Sequence, residues 1–522
     1  MTTAPIAQAT QTARAGSVDA VLRRSSSRFP DRLALTFSER RWTYSQLDAA
    51  VDAVAAMLAD RGLEPGDRVA AYGVNSDAYL IAYLAVSRAG LVHVPVNYAL
   101  TGGELEYLLA DSGASLVLAD PAQAAALETV IESMPTPPPL RSLALLPTAG
   151  QQVDGTVLGV ALDSGEATPV DSPATGDDLA QLLYTSGTTS RPKGAMMTHS
   201  ALMNEYVSCV LSLDLVATDE PLVTMPLYHS AAMHVFTMPY LSLGATVHLM
   251  AAPDIPEILR RVEEDRIGSL FLAPTVWVPL ASHPDLERRD LSSLHKAQYG
   301  ASIMPVTVLQ RLRAKYPALG FYNCFGQSEI GPLACVLRPE EHDARPASAG
   351  RPVYFVEARV VDETGSEVEP GQRGEIVYRS PQLCTGYWNQ PEATEEAFRD
   401  GWFHSGDLVV CDAEGFIEVV DRIKDVINTG GVLVASREVE DAVYQDDRVA
   451  EVAVIGTQDP KWIEAVTAVV VLKDGVDATE WEIIDGTRQH LAPFKVPKRV
   501  VFVDELPRNQ SGKLLKRELR QE

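Results

Sequence analysis

A run of hydroxyl, glycine and lysine residues at positions 184–194 has the composition of a phosphate-binding loop. Its sequence is Tyr-Thr-Ser-Gly-Thr-Thr-Ser-Arg-Pro-Lys-Gly, and it follows an apolar segment, residues 179–183, that predicts a buried strand. Glycine lets the backbone approach an anion closely, and hydroxyl and N–H groups donate hydrogen bonds to phosphate oxygens. The order of residues differs from that of a Walker loop. We expect phosphate to be bound by Thr185, Ser186, Gly187, Thr188, Thr189 and Lys193.

A second segment, residues 323–329, combines an amide, an aromatic ring, a glycine, a hydroxyl and a carboxylate. The ring of Phe325 offers an apolar face to a purine, and the hydroxyl of Ser328 can bind phosphate. The carboxylate of Glu329 is a ligand of the kind that Mg²⁺ prefers. The segment lacks the last glycine of a serine-hydrolase nucleophile elbow, because Ile330 stands there. On its own, it is equally typical of a structural turn.

Alternating helix and strand patterns must hold these segments in place. The spacing of apolar residues predicts a helix near residues 47–58. Residues 76–88 predict another helix between buried strands at 68–74 and 91–96. This order predicts a mostly parallel sheet that is covered by helices, and therefore the α/β class. After residue 425, helix and strand patterns indicate a smaller α+β region.

The composition argues against several classes of function. The chain has 522 residues and a net charge of −26, which disfavours binding to nucleic acid or to anionic membranes. The longest apolar runs stay well short of 18 residues, so we expect no integral membrane association. The five cysteines show no C-x-x-C spacing, which is typical of reduced thiols in a cytoplasmic protein.

The loop at 184–194 resembles the phosphate-binding signature of the adenylate-forming superfamily, which contains acyl-CoA synthetases, peptide-synthetase adenylation domains and luciferases. That signature usually has glycine where Ser190 stands. The resemblance continues in the same order along nearly the whole chain, from about Trp42 to Leu519, and points to bacterial fatty-acyl-CoA synthetases in particular. It implies that the chain uses ATP, which leaves as AMP, together with Mg²⁺ and coenzyme A.

The resemblance also implies two domains. Residues 1–422 would form a large N-terminal domain of stacked, mostly parallel, helix-covered sheets with a small β-barrel-like subdomain. This domain would hold the nucleotide and the acyl group. Residues 423–522 would form a small, mobile α+β C-terminal domain that rotates about Lys424 between two half-reactions. The sequence leaves the oligomeric state open, with a homodimer as one expectation.

Nucleotide-binding roles follow from the resemblance residue by residue. Residues 323–329 match an aromatic-Gly-x-Thr-Glu motif of the family, in which Glu329 is a catalytic residue and the metal ligand. Residues 300–302 look like the strand end that contacts adenine. Asp407 would accept hydrogen bonds from the ribose hydroxyls, and Arg422 would pair with ribose or phosphate. The further nucleotide-binding positions are Gly300, Ala301, Ser302, Asn323, Phe325, Gly326, Ser328 and Lys424.

A Ser-Gly-Lys turn near the end of the chain carries Lys513, and the resemblance implies that this lysine bridges the substrate carboxylate and the α-phosphate. A carboxylate that attacks a phosphate brings two anions together, and a mobile cation offsets their repulsion. Gly430 and Gly431 match a loop that lines the pantetheine channel in the family, where glycine permits close passage of a thin chain.

The acid-binding region should be residues 226–234, by the same resemblance. Residues 225–238 contain no Asp or Glu, so the amino group of an amino acid substrate would find no carboxylate here. Small and apolar neighbours suit an apolar acyl chain instead. His229 is also a candidate catalytic residue at the acyl carbonyl, whereas Trp277 is equally well explained as a packed core residue. The predicted pocket residues are His229, Met233, His234, Trp277 and Gly300.

The loop after residue 431 departs from the family pattern. Val432 and Leu433 stand where Glu-Asn is common, and Ile423 and Asn428 stand where similar fatty-acyl members often carry lysine. Neutral drift explains this pattern, and so does a weakened adenylation step. The sequence therefore predicts an AMP-forming acyl-CoA ligase that acts on an apolar carboxylic acid. The alternatives are a ligase that only converts preformed acyl-adenylate to the thioester, a non-catalytic nucleotide-binding protein, and a luciferase-type oxygenase.

Overall fold

The computed structural model describes residues 16–138, 140–144, 155–165, 167–185, 191–302, 304–429, 432–459, 462–508 and 514–520. The chain divides into two compact units. The first comprises Met1–Glu357 and Arg379–Phe403, and the second comprises Ala358–Tyr378 and His404–Glu522. These units are defined by their compactness, whereas the predicted domains 1–422 and 423–522 are defined by the expected rotation of the C-terminal domain. The boundary after residue 422 therefore stays a prediction.

The first unit is built around two β-sheets. In chain order, its strands are β1 Leu33–Phe37, β2 Arg40–Thr43, β3 Arg68–Tyr72, β4 Val92–Val96, β5 Leu116–Ala119, β6 Leu140–Ala144, β7 Leu179–Thr185, β8 Lys193–Thr198, β9 Pro221–Val223, β10 Val247–Leu249, β11 Ser269–Leu272, β12 Lys296–Gly300, β13 Gly320–Gly326, β14 Leu333–Leu337 and β15 Arg351–Pro352.

Both sheets are mostly parallel, which confirms the predicted architecture. One has six strands in the order β6-β5-β3-β4-β7-β8, in which the β7–β8 pair is antiparallel and the other pairs are parallel. The other has nine strands in the order β15-β14-β13-β12-β11-β9-β10-β1-β2. Its strands from β13 to β1 pair in parallel, and antiparallel pairs lie at its two ends.

Helices alternate with these strands along the chain. They are α1 Ala20–Arg28, α2 Tyr44–Asp60, α3 Asp77–Arg88, α4 Gly102–Ser112, α5 Ala124–Ser133, α6 Val157–Leu162, α7 His199–Ser212, α8 Met238–Leu243, α9 Ile255–Glu264, α10 Pro274–Leu280, α11 Val306–Lys315 and α12 Pro391–Ala397. A π-helix covers Ala231–Thr237, and 3₁₀ turns cover Pro284–Glu287, Ser328–Ile330 and Pro339–Glu341. Of the helices in the described ranges, none combines the length and the apolarity that crossing a bilayer requires.

Local sequence signals explain where the predicted helices begin. Thr43 and Gln46 form a capping box at the start of α2, in which each side chain accepts a hydrogen bond from the backbone N–H of the other. The side chain of Ser76 accepts the N–H of Tyr79 at the start of α3. The apolar residues that predicted α2, such as Leu47, are fully buried. Capping and periodicity therefore agree in this part of the chain.

A third sheet lies in the part of the chain where the resemblance implies a small barrel-like subdomain. Its strands are β16 Glu357–Val361, β17 Arg373–Arg379, β18 Phe398–Arg399, β19 Trp402–Cys411 and β20 Ile417–Arg422. The order is β16-β17-β19-β18, and β20 also pairs with β19. The β18–β19 and β19–β20 pairs are antiparallel.

The second unit contains a further sheet with helices beside it, which confirms the predicted α+β region. Its strands are β21 Ile427–Thr429, β22 Val432–Val434, β23 Val449–Asp459, β24 Ile463–Leu472 and β25 Arg499–Phe502. Its helices are α13 Ser436–Val443, α14 Glu480–Thr487 and α15 Lys516–Leu519, and a 3₁₀ turn covers Ile423–Asp425. The core of this unit includes Val439 from α13, Val466 from β24 and Ile483 from α14.

A buried ion cluster ties α2 to α3 in the first unit. Arg88 is fully buried, and its guanidinium lies 2.6 Å from Asp48, 2.9 Å from Asp52 and 3.2 Å from Asp19. Asp52 also pairs with Arg23 at 2.9 Å. Removing one member of such a cluster leaves charge buried without a partner, which costs more than the pair itself contributes.

Replacing Arg88 with methionine therefore lowers the free energy of unfolding by about 3–5 kcal/mol, because three carboxylates lose their shared cation. Urea unfolding of the full chain, followed by tryptophan fluorescence, measures this loss. Arg23→Met is the matched control, since its side chain is 35 % exposed and its removal costs only about 1 kcal/mol. Equal losses for the two variants contradict the account.

Candidate active site

The carboxyl ends of parallel strands bring three predicted segments to one edge of the nine-stranded sheet. β12 ends at Gly300, β13 ends at Gly326, and Gly300 pairs in register with Cys324. β9 ends at Val223, shortly before the predicted acid-binding segment. Ligands of α/β proteins bind outside this edge. The topology thus collects the segments that the sequence predicts to contact adenine, phosphate and acid.

Glu329 is held by residues from distant parts of the chain. Thr185, the last residue of β7, donates from Oγ1 to Glu329 Oε1 at 3.1 Å. The hydroxyl of Tyr387 donates to the same oxygen at 3.1 Å. The N–H of Cys384 donates to the backbone carbonyl of Glu329 at 2.7 Å, and Glu329 is buried. These contacts fix the predicted metal carboxylate beside the start of the predicted phosphate loop.

The oxygen atoms at Glu329 and its two partners suit a hard cation as ligands. They are one carboxylate and two hydroxyl oxygens, from Thr185 and Tyr387, and oxygen ligands are what Mg²⁺ prefers. Within the described ranges, no group of three or more His, Cys, Asp or Glu side chains forms a ready-made metal cage. Proteins commonly hold Mg²⁺ with one or two carboxylates and the phosphates of a substrate, so the carboxylate of Glu329 is enough on the protein side. The residues present therefore fit the predicted metal.

One helix holds both ends of the predicted phosphate loop. Tyr184, the first residue of the loop, donates from its hydroxyl to Asp111 Oδ2 at 2.6 Å, and burial with this carboxylate raises the pKa of Tyr184. Near the end of the loop, the carbonyl of Pro192 accepts a hydrogen bond from the hydroxyl of Tyr107 at 3.0 Å. Tyr107 and Asp111 lie one turn apart on α4. The predicted phosphate-binding residues in the middle of the loop, Ser186, Gly187, Thr188 and Thr189, lie outside the described residues.

Two further contacts join the loop and the 323–329 segment to their neighbours. Lys193 Nζ lies 5.0 Å from the ring centroid of Tyr387, the residue that also binds Glu329. The hydroxyls of Ser328 and Ser230 lie 3.0 Å apart. Ser230 follows the predicted acid-binding histidine, so this hydrogen bond connects the nucleotide segment to the acid segment.

Glycine is required at two of the predicted nucleotide positions because the backbone is crowded. A Cβ atom on Gly300 would collide with the carbonyl oxygen of Cys324 on the neighbouring strand. A Cβ atom on Gly326 would collide with the carbonyl of Pro332. The absence of side chains here lets the ends of β12 and β13 pack closely against adjacent backbone.

The other predicted adenine-site residues lie around these strand ends. Ala301 and Ser302 are exposed immediately after β12, and Ala301 has a left-handed backbone with φ of 64°. Asn323 donates from Nδ2 to the carbonyl of Ser348 at 2.9 Å. Phe325 is partly exposed. Their contacts with a nucleotide stay predictions.

The predicted acid-binding segment is fixed by Asn75, which lies just beyond the end of β3. Its Oδ1 accepts the N–H of Leu227 at 2.6 Å, and its Nδ2 donates to the carbonyls of Met225 and Met250 at 2.9 and 3.1 Å. His229 is partly exposed, with its ring centroid 4.8 Å from that of Tyr228. The side chain of an otherwise unassigned asparagine thus sets the path of this segment.

Met233 and His234 lie on the π-helix, and both are fully buried. A π-helix is rare and often occurs at functional sites. His234 Nε2 lies 2.7 Å from Gln181 Oε1, and its Nδ1 lies 2.9 Å from the hydroxyl of Tyr206. Burial, together with His93, lowers the pKa of His234 to about 3, so the ring is neutral at physiological pH. Both ring nitrogens of His234 are already engaged within the protein.

Trp277 is a packed residue of the first unit. It is 2 % exposed, donates from Nε1 to the carbonyl of Gln298 at 3.0 Å, and its ring centroid lies 6.0 Å from that of Phe321. These contacts account for the tryptophan as a core residue. A pocket role for Trp277, like that of His234, stays a prediction.

In the second unit, the predicted ribose-binding pair is assembled across two strands. Asp407 on β19 and Arg422 on β20 are paired in register, and Arg422 Nε lies 2.7 Å from Asp407 Oδ1. Asp407 is buried and Arg422 is partly exposed. Lys424 follows in the 3₁₀ turn and is exposed. The predicted residues Gly430, Gly431 and Lys513 lie outside the described residues.

The segment around Lys424 is tied to the rest of the second unit. Asp421 accepts hydrogen bonds from Ser436, at 2.6 Å from its N–H and 2.8 Å from its hydroxyl. Arg520 pairs with Asp425 at 2.9 Å. The residues on both sides of Lys424 are therefore anchored to α13 and to the end of the chain.

Four residues of the candidate site carried no sequence assignment: Tyr387, Ser230, Asn75 and Asp111. Asn75 follows the carboxyl end of a parallel strand, where α/β proteins bind ligands, so its place in the sequence could have indicated a role in the site. Ser230 lay inside the predicted acid segment. Tyr387 and Asp111 act through contacts far apart in sequence, which no local pattern reveals.

The contact between Tyr184 and Asp111 should position the phosphate loop. Tyr184→Phe removes this hydrogen bond, which is worth about 1–2 kcal/mol, and raises the KM for ATP roughly 5- to 30-fold. Pyrophosphate release at varied ATP concentration measures the change. Tyr316→Phe is the control, because that hydroxyl donates to the carbonyl of Leu286 away from the site. A KM for ATP that is equal in the two variants contradicts the positioning role.

Comparisons with known proteins show the family of this chain. A sequence model described as "AMP-binding enzyme" matches residues 22–388, and one described as "AMP-binding enzyme C-terminal domain" matches residues 438–513. A feruloyl-CoA synthase of Amycolatopsis sp is 40 % identical over 491 residues, which cover 94 % of this chain and 96 % of that protein. A long-chain-fatty-acid–CoA ligase of Salmonella typhimurium is 34 % identical, with 95 % and 93 % covered.

Solved structures give the same result. The crystal structure of ATP-bound MatB from Rhodopseudomonas palustris superposes with a TM-score of 0.86 at 32 % identity, and covers 97 % of this chain and 98 % of that one. The amide bond synthetase McbA from Marinactinospora thermotolerans has a TM-score of 0.85 at 28 % identity, with 97 % and 99 % covered. From the ordered motifs, the fold and these matches, the chain belongs to the AMP-binding enzymes, and it is an AMP-forming acid–thiol ligase of the adenylate-forming acyl-CoA synthetase superfamily.

Proposed function

We propose that this ligase converts an apolar carboxylic acid to its CoA thioester through an acyl-adenylate. The observation that carries the proposal is the 3.1 Å hydrogen bond from Thr185 to Glu329. It joins the start of the phosphate loop to a buried carboxylate whose surroundings suit Mg²⁺. AMP-forming CoA ligases use ATP, Mg²⁺ and coenzyme A.

In the first half-reaction, a carboxylate oxygen of the acid attacks the α-phosphorus of ATP, and the bond to pyrophosphate breaks. Both reactants are anions, so positive charge at the phosphates lowers the barrier. Mg²⁺ supplies part of this charge when bound, and Glu329 would hold it. Thr185 and Tyr387 keep the Glu329 carboxylate in position. Lys513, by resemblance, supplies a cation between the carboxylate and the α-phosphate.

In the second half-reaction, the CoA thiol attacks the carbonyl carbon of the acyl-adenylate, and AMP leaves. The mixed anhydride is already activated, so no protein nucleophile is needed. We propose that Asp407 and Arg422 hold the ribose, that Gly430 and Gly431 line the path of pantetheine, and that the chain rotates near Lys424. The domain boundary after residue 422 belongs to this proposal. His229 would contact the acyl carbonyl.

The apolar character of the acid is supported by the segment that follows Val223. Residues 225–238 carry no carboxylate that could hold an amino group. Ala232, Met233, Val235 and Phe236 on the π-helix are buried and apolar. The relatives also include a feruloyl-CoA synthase and a long-chain-fatty-acid–CoA ligase.

We propose the cytoplasm as the location and no interaction with nucleic acid, in line with the net charge of −26. A homodimer is a further proposal, which analytical ultracentrifugation tests.

One observation favours the ligase that lacks adenylation as a second candidate. Ile423, Val432 and Leu433 are 46, 44 and 59 % exposed. These exposed apolar side chains stand where similar members of the family often carry polar residues. Their replacement of polar residues in this segment would weaken adenylation while the thioester step survives.

Pyrophosphate release separates these candidates. The protein is incubated with ATP, Mg²⁺ and a panel of fatty, aryl and polycyclic acids without CoA, and hydroxylamine traps the acyl-adenylate. We expect release with apolar acids, no release with amino acids, and a thioester once CoA is added. If a folded protein releases no pyrophosphate but converts supplied acyl-adenylate and CoA to thioester, the second candidate replaces the first. Preference for amino acids contradicts the proposed substrate class.

A further inference from the structure

Two opposite charges of the candidate site lie near each other without pairing. Lys193, at the start of β8, is paired in register with Thr185 at the end of β7. Cross-strand partners place their side chains on the same face of a sheet, and Thr185 donates to Glu329 at 3.1 Å. The long, flexible side chain of Lys193 is therefore within reach of the Glu329 carboxylate. Among the described residues, however, neither Lys193 nor Glu329 forms an ion pair.

Tyr387 accounts for this separation. Its side chain is buried and contacts both charges at different points. The hydroxyl donates to Glu329 Oε1 at 3.1 Å, whereas Lys193 Nζ lies over the ring, 5.0 Å from its centroid. The face of an aromatic ring attracts a cation. The ring of Tyr387 thus holds the lysine, and its hydroxyl holds the carboxylate.

The backbone of Tyr387 is attached to the strand that carries Lys193. Tyr387 forms an antiparallel bridge with Ala195 of β8. The next residue, Trp388, donates from its N–H to the carbonyl of Gly194 at 2.8 Å. These backbone contacts give the ring a fixed position relative to the start of β8.

The surroundings of Glu329 differ from those of Asp219, another buried carboxylate of the first unit. Asp219 is paired with Lys296 at 2.6 Å, and a buried charge normally needs such a counter-charge. The donors that the described residues offer to the Glu329 carboxylate are the neutral hydroxyls of Thr185 and Tyr387. They position the carboxylate without neutralising it, so its charge stays available for a cation that arrives with the ligand.

We propose that Tyr387 is a positioning residue that keeps Lys193 and Glu329 from forming an ion pair before the ligand binds. This inference rests on the proposed function, in which the phosphate loop with Lys193 binds ATP and Glu329 holds Mg²⁺. An ion pair between the two would occupy the cation that phosphate needs and the carboxylate that the metal needs. Because Tyr387 prevents the pair, ATP binds without first having to break it.

Calorimetric titration of the full-length protein with ATP in EDTA tests this role. Without a metal, the affinity for ATP reports whether Lys193 is available. Tyr387→Leu removes the ring and the hydroxyl and lets Lys193 pair with Glu329, so ATP must break that pair and should bind about 10-fold more weakly. Tyr387→Phe keeps the ring, and its affinity should stay within about 2-fold of the wild-type value.

A second substitution distinguishes this role from a structural one. Glu329→Gln removes the carboxylate with which Lys193 would pair. Adding Tyr387→Leu to the Glu329→Gln variant should therefore change the affinity for ATP in EDTA by less than about 2-fold. An equal loss in both backgrounds shows that Tyr387 only supports the local structure, and this result overturns the inference. A Tyr387→Leu variant that binds ATP in EDTA as well as the wild-type protein overturns it too.

Tyr240→Leu is the matched control. The hydroxyl of this buried tyrosine also donates to a buried carboxylate, that of Asp219, at 2.9 Å. Asp219 precedes β9 and so lies at the opposite edge of the sheet from the site. This variant should keep the wild-type affinity for ATP in EDTA. Thermal unfolding of each variant confirms folding, and Tyr387→Met repeats the test if the leucine variant fails to fold.

The outcomes for the inference and for the proposed function are distinct. If the wild-type protein adenylates apolar acids and Tyr387→Leu keeps its affinity for ATP, the role of Tyr387 is wrong and the proposed function stands. If the folded wild-type protein neither binds ATP nor releases pyrophosphate with any acid, the proposed function fails, and the inference fails with it.

Discussion

The hydrogen bond from Thr185 to Glu329 is the constraint on which the rest of the candidate site depends. Thr185 ends a strand of the six-stranded sheet, and Glu329 follows a strand of the nine-stranded sheet, 144 positions later in the chain. A buried carboxylate requires hydrogen-bond donors. The fold supplies them from Thr185 and from Tyr387. The phosphate loop and the metal ligand are thus placed together by the same interaction that satisfies the buried charge.

The turn that carries Glu329 rests on a second layer of buried polar groups. Gln382 donates from Nε2 to the carbonyls of Ile330 and Leu333 at 2.9 and 2.8 Å. Glu205 accepts the N–H of Leu333 at 2.9 Å and also binds Gln382. Burial raises the pKa of Glu205 to about 8, because the charged form of a carboxyl group is disfavoured away from water. This layer holds the backbone on which Ser328 and Glu329 are presented.

Sequence periodicity and motifs predicted the elements and the chemical types of the site, because both depend on local order. The helix at α2 and the strands around it follow from apolar spacing and caps, and the phosphate loop follows from its glycines and hydroxyls. The partners of these groups were not predictable in the same way. Tyr387 meets Glu329 across 58 positions, and Asp111 meets Tyr184 across 73. Such contacts are set by how strands are ordered in a sheet.

A related limit applies to residues whose type suits several environments. His234 and Trp277 were predicted to line the acid pocket, and both have internal partners for their ring nitrogens.

A double-mutant cycle on Thr185 and Glu329 tests the central claim most directly. ATP binding in the presence of Mg²⁺ is measured by calorimetry for Thr185→Val, Glu329→Gln and the double variant, with thermal unfolding as the check on folding. If the two residues act as one unit, the double variant binds ATP no more than about 2-fold more weakly than the weaker single variant. Losses that multiply across the two substitutions would show that Thr185 and Glu329 act independently, and would contradict the account.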